Sequence, residues 1–188
     1  MTTILATRDE NKAYICTDGV LNDESAKRHL FHGVKKAIRI GNFLVASAGC
    51  SILTHEARLI VQNFNLQGDS LSLSQQNELC NAIKGVIKYK QEAHILLWGM
   101  NTGYVISSWI LQDPNNEKNF HKEVICDEIK EDKFAIGAGG NTALAIYKAL
   151  LELNSEESKP KLLETSVKWA GDVVMYTHSK PQLLTLEK

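Results

Sequence analysis

The sequence predicts an α+β protein in which paired helices cover antiparallel sheets, and three observations predict it. Short apolar and β-branched runs come in pairs joined by tight polar turns, as the arms of hairpins do. Helical periodicity appears in two separate pairs of segments, over 51–89 and over 141–169, each following a group of strands. The 188 residues suffice for one domain with a sizeable core over 1–188 and are few for two. Helices segregated in this way pack onto sheets as layers.

In chain order, Thr3 to Thr7 reads as a strand, Asp9-Glu10-Asn11 as a turn and Ala13 to Thr17 as the returning strand. Two arms of similar length bring Asp18 back beside Thr2. Val20 to Gly33 is polar and reads as an irregular loop bordering a cleft. Val34 to Ile40, a turn at Gly41-Asn42, and Phe43 to Ala48 form a second hairpin with an apolar, central second arm. Alternation sends Lys35 and Lys36 to opposite faces, so only one can point at Asp18. Gly49, at the end of that arm, allows backbone to approach a ligand closely.

Two helices follow, Ser51 to Phe64 and Leu73 to Tyr89, with Ser70 or Ser72 as the cap of the second. Ala93 to Gly99 and Gly103 to Ile110 are strands, 113–119 a turn-rich loop and Glu123 to Ile129 a short strand. Lys133 to Ile136 runs as a buried strand into Gly137-Ala138-Gly139-Gly140, and a helix opens at Asn141. That glycine-rich turn fits neither the Walker spacing nor GxGxxG, so it reads as close packing of strand and helix near a site. Pro160 starts another helix, through about Trp169. Gly171 to Thr177 and Gln182 to Leu186 close the chain as strands.

Composition excludes several classes of function. Lys+Arg 21 against Asp+Glu 22 gives a net charge of -1, with no footprint for nucleic acid or for an anionic membrane surface. Cys16, Cys50, Cys80 and Cys126 have no paired or metal-finger spacing and read as reduced thiols. No apolar run approaches the ~18 residues of a membrane span, and no export signal precedes the first strand. A cytoplasmic protein is expected.

Chemistry enters at Met1-Thr2-Thr3. Removal of Met1, favoured by the small residue after it, would place an amine and a hydroxyl on Thr2, a nucleophile carrying its own base. Such an amine has a pKa of about 7.7–8.0, so part of it is unprotonated at neutral pH and can accept the hydroxyl proton.

Met1-Thr2-Thr3-Ile4, Thr17-Asp18-Gly19, Gly33-Val34-Lys35-Lys36, Ala48-Gly49, Ala135 to Gly140 and Ala170 to Thr177, in this order, resemble the N-terminal-nucleophile peptidases of the proteasome β-subunit and HslV-like family. The likeness runs over nearly the whole chain and is weakest from Ser51 to Asp132. It implies a four-layer αββα sandwich that assembles into homo-oligomeric rings and cleaves polypeptides through an acyl-enzyme ester.

Carried over by residue, the resemblance implies Thr2 as nucleophile, its amine as base, Lys36 beside the threonine oxygen, Asp18 fixing Lys36, and the Gly49 amide as oxyanion donor. It implies no required cofactor, but a monovalent cation, Na+ or K+, on the carbonyls of Gly171, Val174 and Thr177. An HslU-like AAA+ unfoldase is the partner such a ring would use. The chain departs from the family at Ala138, where serine is usual, at Cys50, where glycine is usual, and in a longer segment from Trp109 to Lys133. Two other readings use the same residues: an inactive ring or scaffold protein, and an amidohydrolase acting on small molecules.

Overall fold

The computed structural model describes residues 2–18, 20–23, 28–32, 35–66, 68–87, 92–113, 116–153, 156–174 and 180–188. The first hairpin forms as its pattern predicts, with β1 (Ile4–Arg8) antiparallel to β2 (Lys12–Thr17). Asp9 Oδ1 accepts from the N–H groups of Asn11 and Lys12, the short-range bonding that lets aspartate close a tight turn.

The expected loop over 20–33 is instead a two-stranded antiparallel ribbon, β3 (Val20–Asp23) with β4 (Arg28–His32). Asn22, Asp23, Arg28, His29 and His32 give this segment a loop's composition. Ladder hydrogen bonds belong to the backbone, however, and need no apolar side chains.

The second hairpin is β5 (Ala37–Ile40) and β6 (Phe43–Gly49), turning at Gly41 with φ of 55°. Helices α1 (Ser51–Asn63) and α2 (Leu73–Val86) follow, and Ser72 caps α2 in a reciprocal box with Gln75.

Next come β7 (Ala93–Trp98), β8 (Gly103–Asp113) and β9 (Asn116–Ile129). The turn-rich loop expected over 113–119 is therefore mostly strand: β9 runs for 14 residues and pairs with β8 from Gly103↔Ile129 to Asp113↔Asn116. As the outer strand of its sheet it tolerates Lys122, Glu123, Asp127 and Glu128, charges that disguise it in the sequence and discourage edge pairing.

After β10 (Lys133–Ile136) come α3 (Gly140–Leu153), α4 (Lys159–Val173) and β11 (Gln182–Glu187). Here the expected strand from Gly171 is corrected, because Gly171, Asp172 and Val173 form the last turn of α4. Gly171 is buried in that turn, so helix packing overrides the strand preference of the valines.

Besides the β3-β4 ribbon, the described strands form two larger sheets, ordered β10-β1-β2-β11 and β5-β6-β7-β8-β9. Alternation sorts their side chains into three apolar layers. Ile4, Ala6 and Ile15 meet Leu44, Ala46, Leu96 and Trp98 between the sheets. Phe43, Val45, Ile95 and Leu97 point the other way, onto Ala57 and Val61 of α1 and Leu79 and Ile83 of α2. Leu5, Tyr14 and Cys16 pack under Tyr147 of α3 and Leu163 and Val167 of α4. The architecture is the expected αββα sandwich. Trp98 Nε1 donates to Thr7 O at 2.9 Å, and the Arg8 guanidinium lies 4.6 Å from the Trp98 ring centre, so β1 is fastened to the opposite sheet.

Candidate active site

Thr2 precedes β1 and Asp18 follows β2, so the first hairpin closes both onto one end of its sheet. Register places Ile4 opposite Thr17. One step further, Asp18 N donates to Thr3 O at 3.2 Å, and Thr3 N donates to Asp18 Oδ2 at 3.1 Å. The other sheet delivers Lys36 from the residue before β5. Its Nζ donates to Asp18 Oδ1 at 2.7 Å and to Thr2 Oγ1 at 3.0 Å. Lys35, one residue earlier, is exposed, as alternation requires.

Asp18 is fully buried and Lys36 is 6 % exposed. Burial pushes the Asp18 carboxyl above its ordinary range, while the charge and hydrogen bond of Lys36 and the Thr3 N–H act in the opposite direction. Burial likewise lowers the Lys36 pKa, opposed by Asp18. The pair thus places a lysine with weakened hold on its proton against the Thr2 hydroxyl.

Gly49 ends β6 with φ of 118°, and a Cβ there would lie 2.4 Å from Glu92 O. Cys50 N donates to Glu92 O, which makes Gly49↔Ala93 a pair that exchanges no ladder bonds. The Gly49 N–H therefore points away from β7. It faces the side where pairing with β5 begins only at Ala37↔Ala46, and Gly49 lines a cleft with Thr2 and Lys36.

The glycine-rich turn holds Thr2 and Thr3 from beneath. Gly139 N donates to Thr2 O at 3.4 Å, and a Cβ on Gly139 would stand 2.0 Å from Thr3 Oγ1. A Cβ on Gly137, whose φ is 86°, would stand 2.1 Å from Thr2 O. Gly140 begins α3, and its N–H returns to Gly137 O at 3.0 Å. Ala138 completes the turn without a hydroxyl. The glycines serve backbone approach and leave no cradle for a phosphate.

Of the carbonyls expected to hold a cation, Gly171 stands in the last turn of α4 and Val174 is its C-cap, with the Val174 N–H bonded to Ala170 O at 2.8 Å. Thr177 lies outside the described residues. Of that set, the described Gly171 and Val174 stand at a helix C-terminus, the negative end of the helix dipole. No cluster of three or more His, Cys, Asp or Glu side chains among the described residues could hold a metal ion.

Sequence reasoning passed over Thr3, whose backbone locks Asp18, and over Ser51, His55 and Arg58, which line the cleft. The last three were legible as positions i, i+4 and i+7 of a helix starting just after Gly49.

No family model matches the chain. It is 26% identical to the ATP-dependent protease subunit HslV of Oceanobacillus iheyensis, over 99% of this chain and 96% of that one. The HslV of Petrotoga mobilis is equally similar, 26% over 99% of this chain and 97% of its own. Among solved structures, eukaryotic HslV from Trypanosoma brucei superposes with a TM-score of 0.67 at 19% identity, covering 99% of both chains. The chain is similar to HslV over nearly its whole length and has the fold of the solved HslV. Thiobacillus denitrificans BPH, solved in complex with epoxomicin, shares that fold, with a TM-score of 0.69 at 16% identity over 98% of each chain.

Proposed function

We propose that the chain is the peptidase subunit of a self-compartmentalising protease and that Thr2, freed of Met1, hydrolyses peptide bonds. The relatives named HslV are ATP-dependent protease subunits, and the reading extends that activity to this chain. The observation that carries it is the 3.0 Å bond from Lys36 Nζ to Thr2 Oγ1, with Asp18 behind the lysine.

In this mechanism the Thr2 amine takes the hydroxyl proton as Oγ1 attacks the substrate carbonyl. Lys36 favours the developing alkoxide by charge, and Asp18 keeps that ammonium aimed. The Gly49 N–H receives the oxyanion, a contribution of about 3–4 kcal/mol in comparable sites. The protonated amine then passes its proton to the leaving nitrogen, and an ester remains on Thr2. Water, activated by the same amine, releases the second product.

Several subunits in a ring would enclose the site, and an ATP-dependent unfoldase of the HslU kind would feed it. A monovalent cation on the carbonyls of Gly171, Val174 and Thr177 would stiffen the end of α4. No helix among the described residues is long and apolar enough to cross a membrane.

The test is covalent trapping. Epoxomicin, the ligand of the BPH structure, is incubated with the protein and the adduct is located by peptide mass spectrometry. An adduct on a peptide beginning at Thr2, absent from Thr2→Ala, is the expected result; labelling that persists in Thr2→Ala defeats the reading.

A further inference from the structure

Beside Thr2 the structure contains a cleft of about 210 Å³ whose lining is unusual in charge. Beyond Thr2, Lys36 and Gly49 it is made of Lys35, Ser47, Ser51, Thr54, His55 and Arg58. Among the described residues, hydroxyls and basic groups make up this wall, with no carboxylate and no large apolar side chain.

The arrangement is built by local structure. Ser51, His55 and Arg58 are spaced to share one face of α1, which begins immediately after Gly49. Arg58 Nη1 donates to Lys35 O at 2.8 Å, fastening the guanidinium to the segment that carries Lys35 and Lys36. The start of α1 adds to the positive field. Its N-cap, Cys50, makes no side-chain bond to the first-turn amides, and the first turn holds no acidic residue. Those amides and the positive end of the helix dipole lie where Ser51 meets the cleft.

Lys36 has its counter-charge in Asp18. Among the described lining residues none is acidic, and the wall that carries Lys35 and Arg58 is basic.

We infer that this cleft selects substrates carrying a carboxylate side chain, glutamate or aspartate, on the residue whose carbonyl Thr2 attacks. The inference rests on the proposed peptidase activity of Thr2, since Thr2 Oγ1, the Gly49 N–H and the basic wall border one space. A carbonyl placed between hydroxyl and amide directs its own residue's side chain into that wall. There Arg58 offers a carboxylate paired N–H donors and Lys35 a point charge. An apolar side chain would strip water from these groups and give nothing back.

The test uses peptide amides of one sequence that differ only at that residue: Glu, Gln, Leu or Lys. kcat/KM is measured for each, and binding of the matching product peptides ending in Glu or Gln is measured by calorimetry. The expected result is a Glu over Gln preference of about tenfold or more in both readouts, about 1.4 kcal/mol. It shrinks at high salt and in Arg58→Gln, a variant that keeps donors for Lys35 O.

Hydrolysis of Gln or Leu peptides as fast as Glu peptides overturns the inference and leaves the peptidase reading standing. Selective binding of the Glu product without hydrolysis of any peptide supports the inference about the cleft and overturns the peptidase reading. Neither hydrolysis nor selective binding overturns both.

Discussion

Lys36 Nζ bridges the Thr2 hydroxyl at 3.0 Å and the Asp18 carboxylate at 2.7 Å, joining residues from two sheets that meet only through tertiary packing. Because the ammonium donates to Thr2 Oγ1, that oxygen accepts, and its own proton stays available to the amine on the same residue. The bridge favours nucleophilic attack and supplies no alternative base.

Thr2→Ala and Lys36→Ala are each expected to lower peptide hydrolysis by about a thousandfold or more, since members of one catalytic unit fail together. Assembly, read by size-exclusion chromatography with light scattering, should be unchanged. The double variant should be no worse than either single one. Residual activity above a hundredth of wild type in either variant would remove that residue from the mechanism.

Asp18→Asn leaves the Lys36 ammonium buried without its counter-charge. Breaking one side of a buried pair costs about 3–5 kcal/mol, and for a chain of this size each kcal/mol moves the midpoint by roughly 2–4 °C. Thermal unfolding should therefore fall well below wild type. Asp18→Leu with Lys36→Met, which removes both charges, should recover much of the loss. A double variant less stable than Asp18→Asn would contradict this view of the pair.

Gly139→Ala and Gly137→Ala drive a methyl group to within 2.0 Å of Thr3 Oγ1 and 2.1 Å of Thr2 O. Neither backbone can yield while Thr3 N is held by Asp18. Both variants should lose most activity through displacement of Thr2. Gly68→Ala is the steric control: a Cβ there meets nothing within 4 Å, though its φ of 91° adds local strain. It should keep wild-type kcat and lose only modest stability, as read by peptide turnover and denaturant unfolding.

The pH profile of kcat/KM should have two limbs. Activity rises as the Thr2 amine loses its proton near about 7.7–8.0. It falls as the Lys36 ammonium is lost, below that lysine's ordinary 10.5 because burial lowers its pKa. Stability should respond with opposite signs at the two ends. Burial raises the Asp18 pKa above 3.8, so the folded chain binds more protons than the unfolded one just above that value, and stability falls as pH rises there. Lys36 in the folded chain binds fewer protons below 10.5, so stability rises with pH through its window. Denaturant unfolding across pH, compared between wild type and the doubly neutral Asp18→Leu, Lys36→Met variant, reads both slopes.

Much of this arrangement is legible in the residues because it follows from short-range periodicity. The pairing of β1 with β2 and the alternation across Lys35 and Lys36 are fixed by turns and by a repeat of two. What escapes is what depends on distant surroundings. The ribbon of β3 and β4 and the long β9 carry polar and charged residues, since an outer strand or small ribbon has little apolar surface to bury. The last turn of α4 ends on Val173, with Val174 as its C-cap; valine branching favours strands, and packing of the buried Gly171 decides for helix. The cleft wall was hidden because Ser51, His55 and Arg58 look like an ordinary solvated helix face until Gly49 sets that face beside Thr2.

Intact mass spectrometry of the peptide-hydrolysing protein tests the central claim most directly. The account predicts that every active molecule lacks the mass of one methionine residue and begins at Thr2 with a free amine. Undiminished hydrolysis by protein that still carries Met1 would contradict it, because the amide then formed at Thr2 could accept no proton from the attacking hydroxyl.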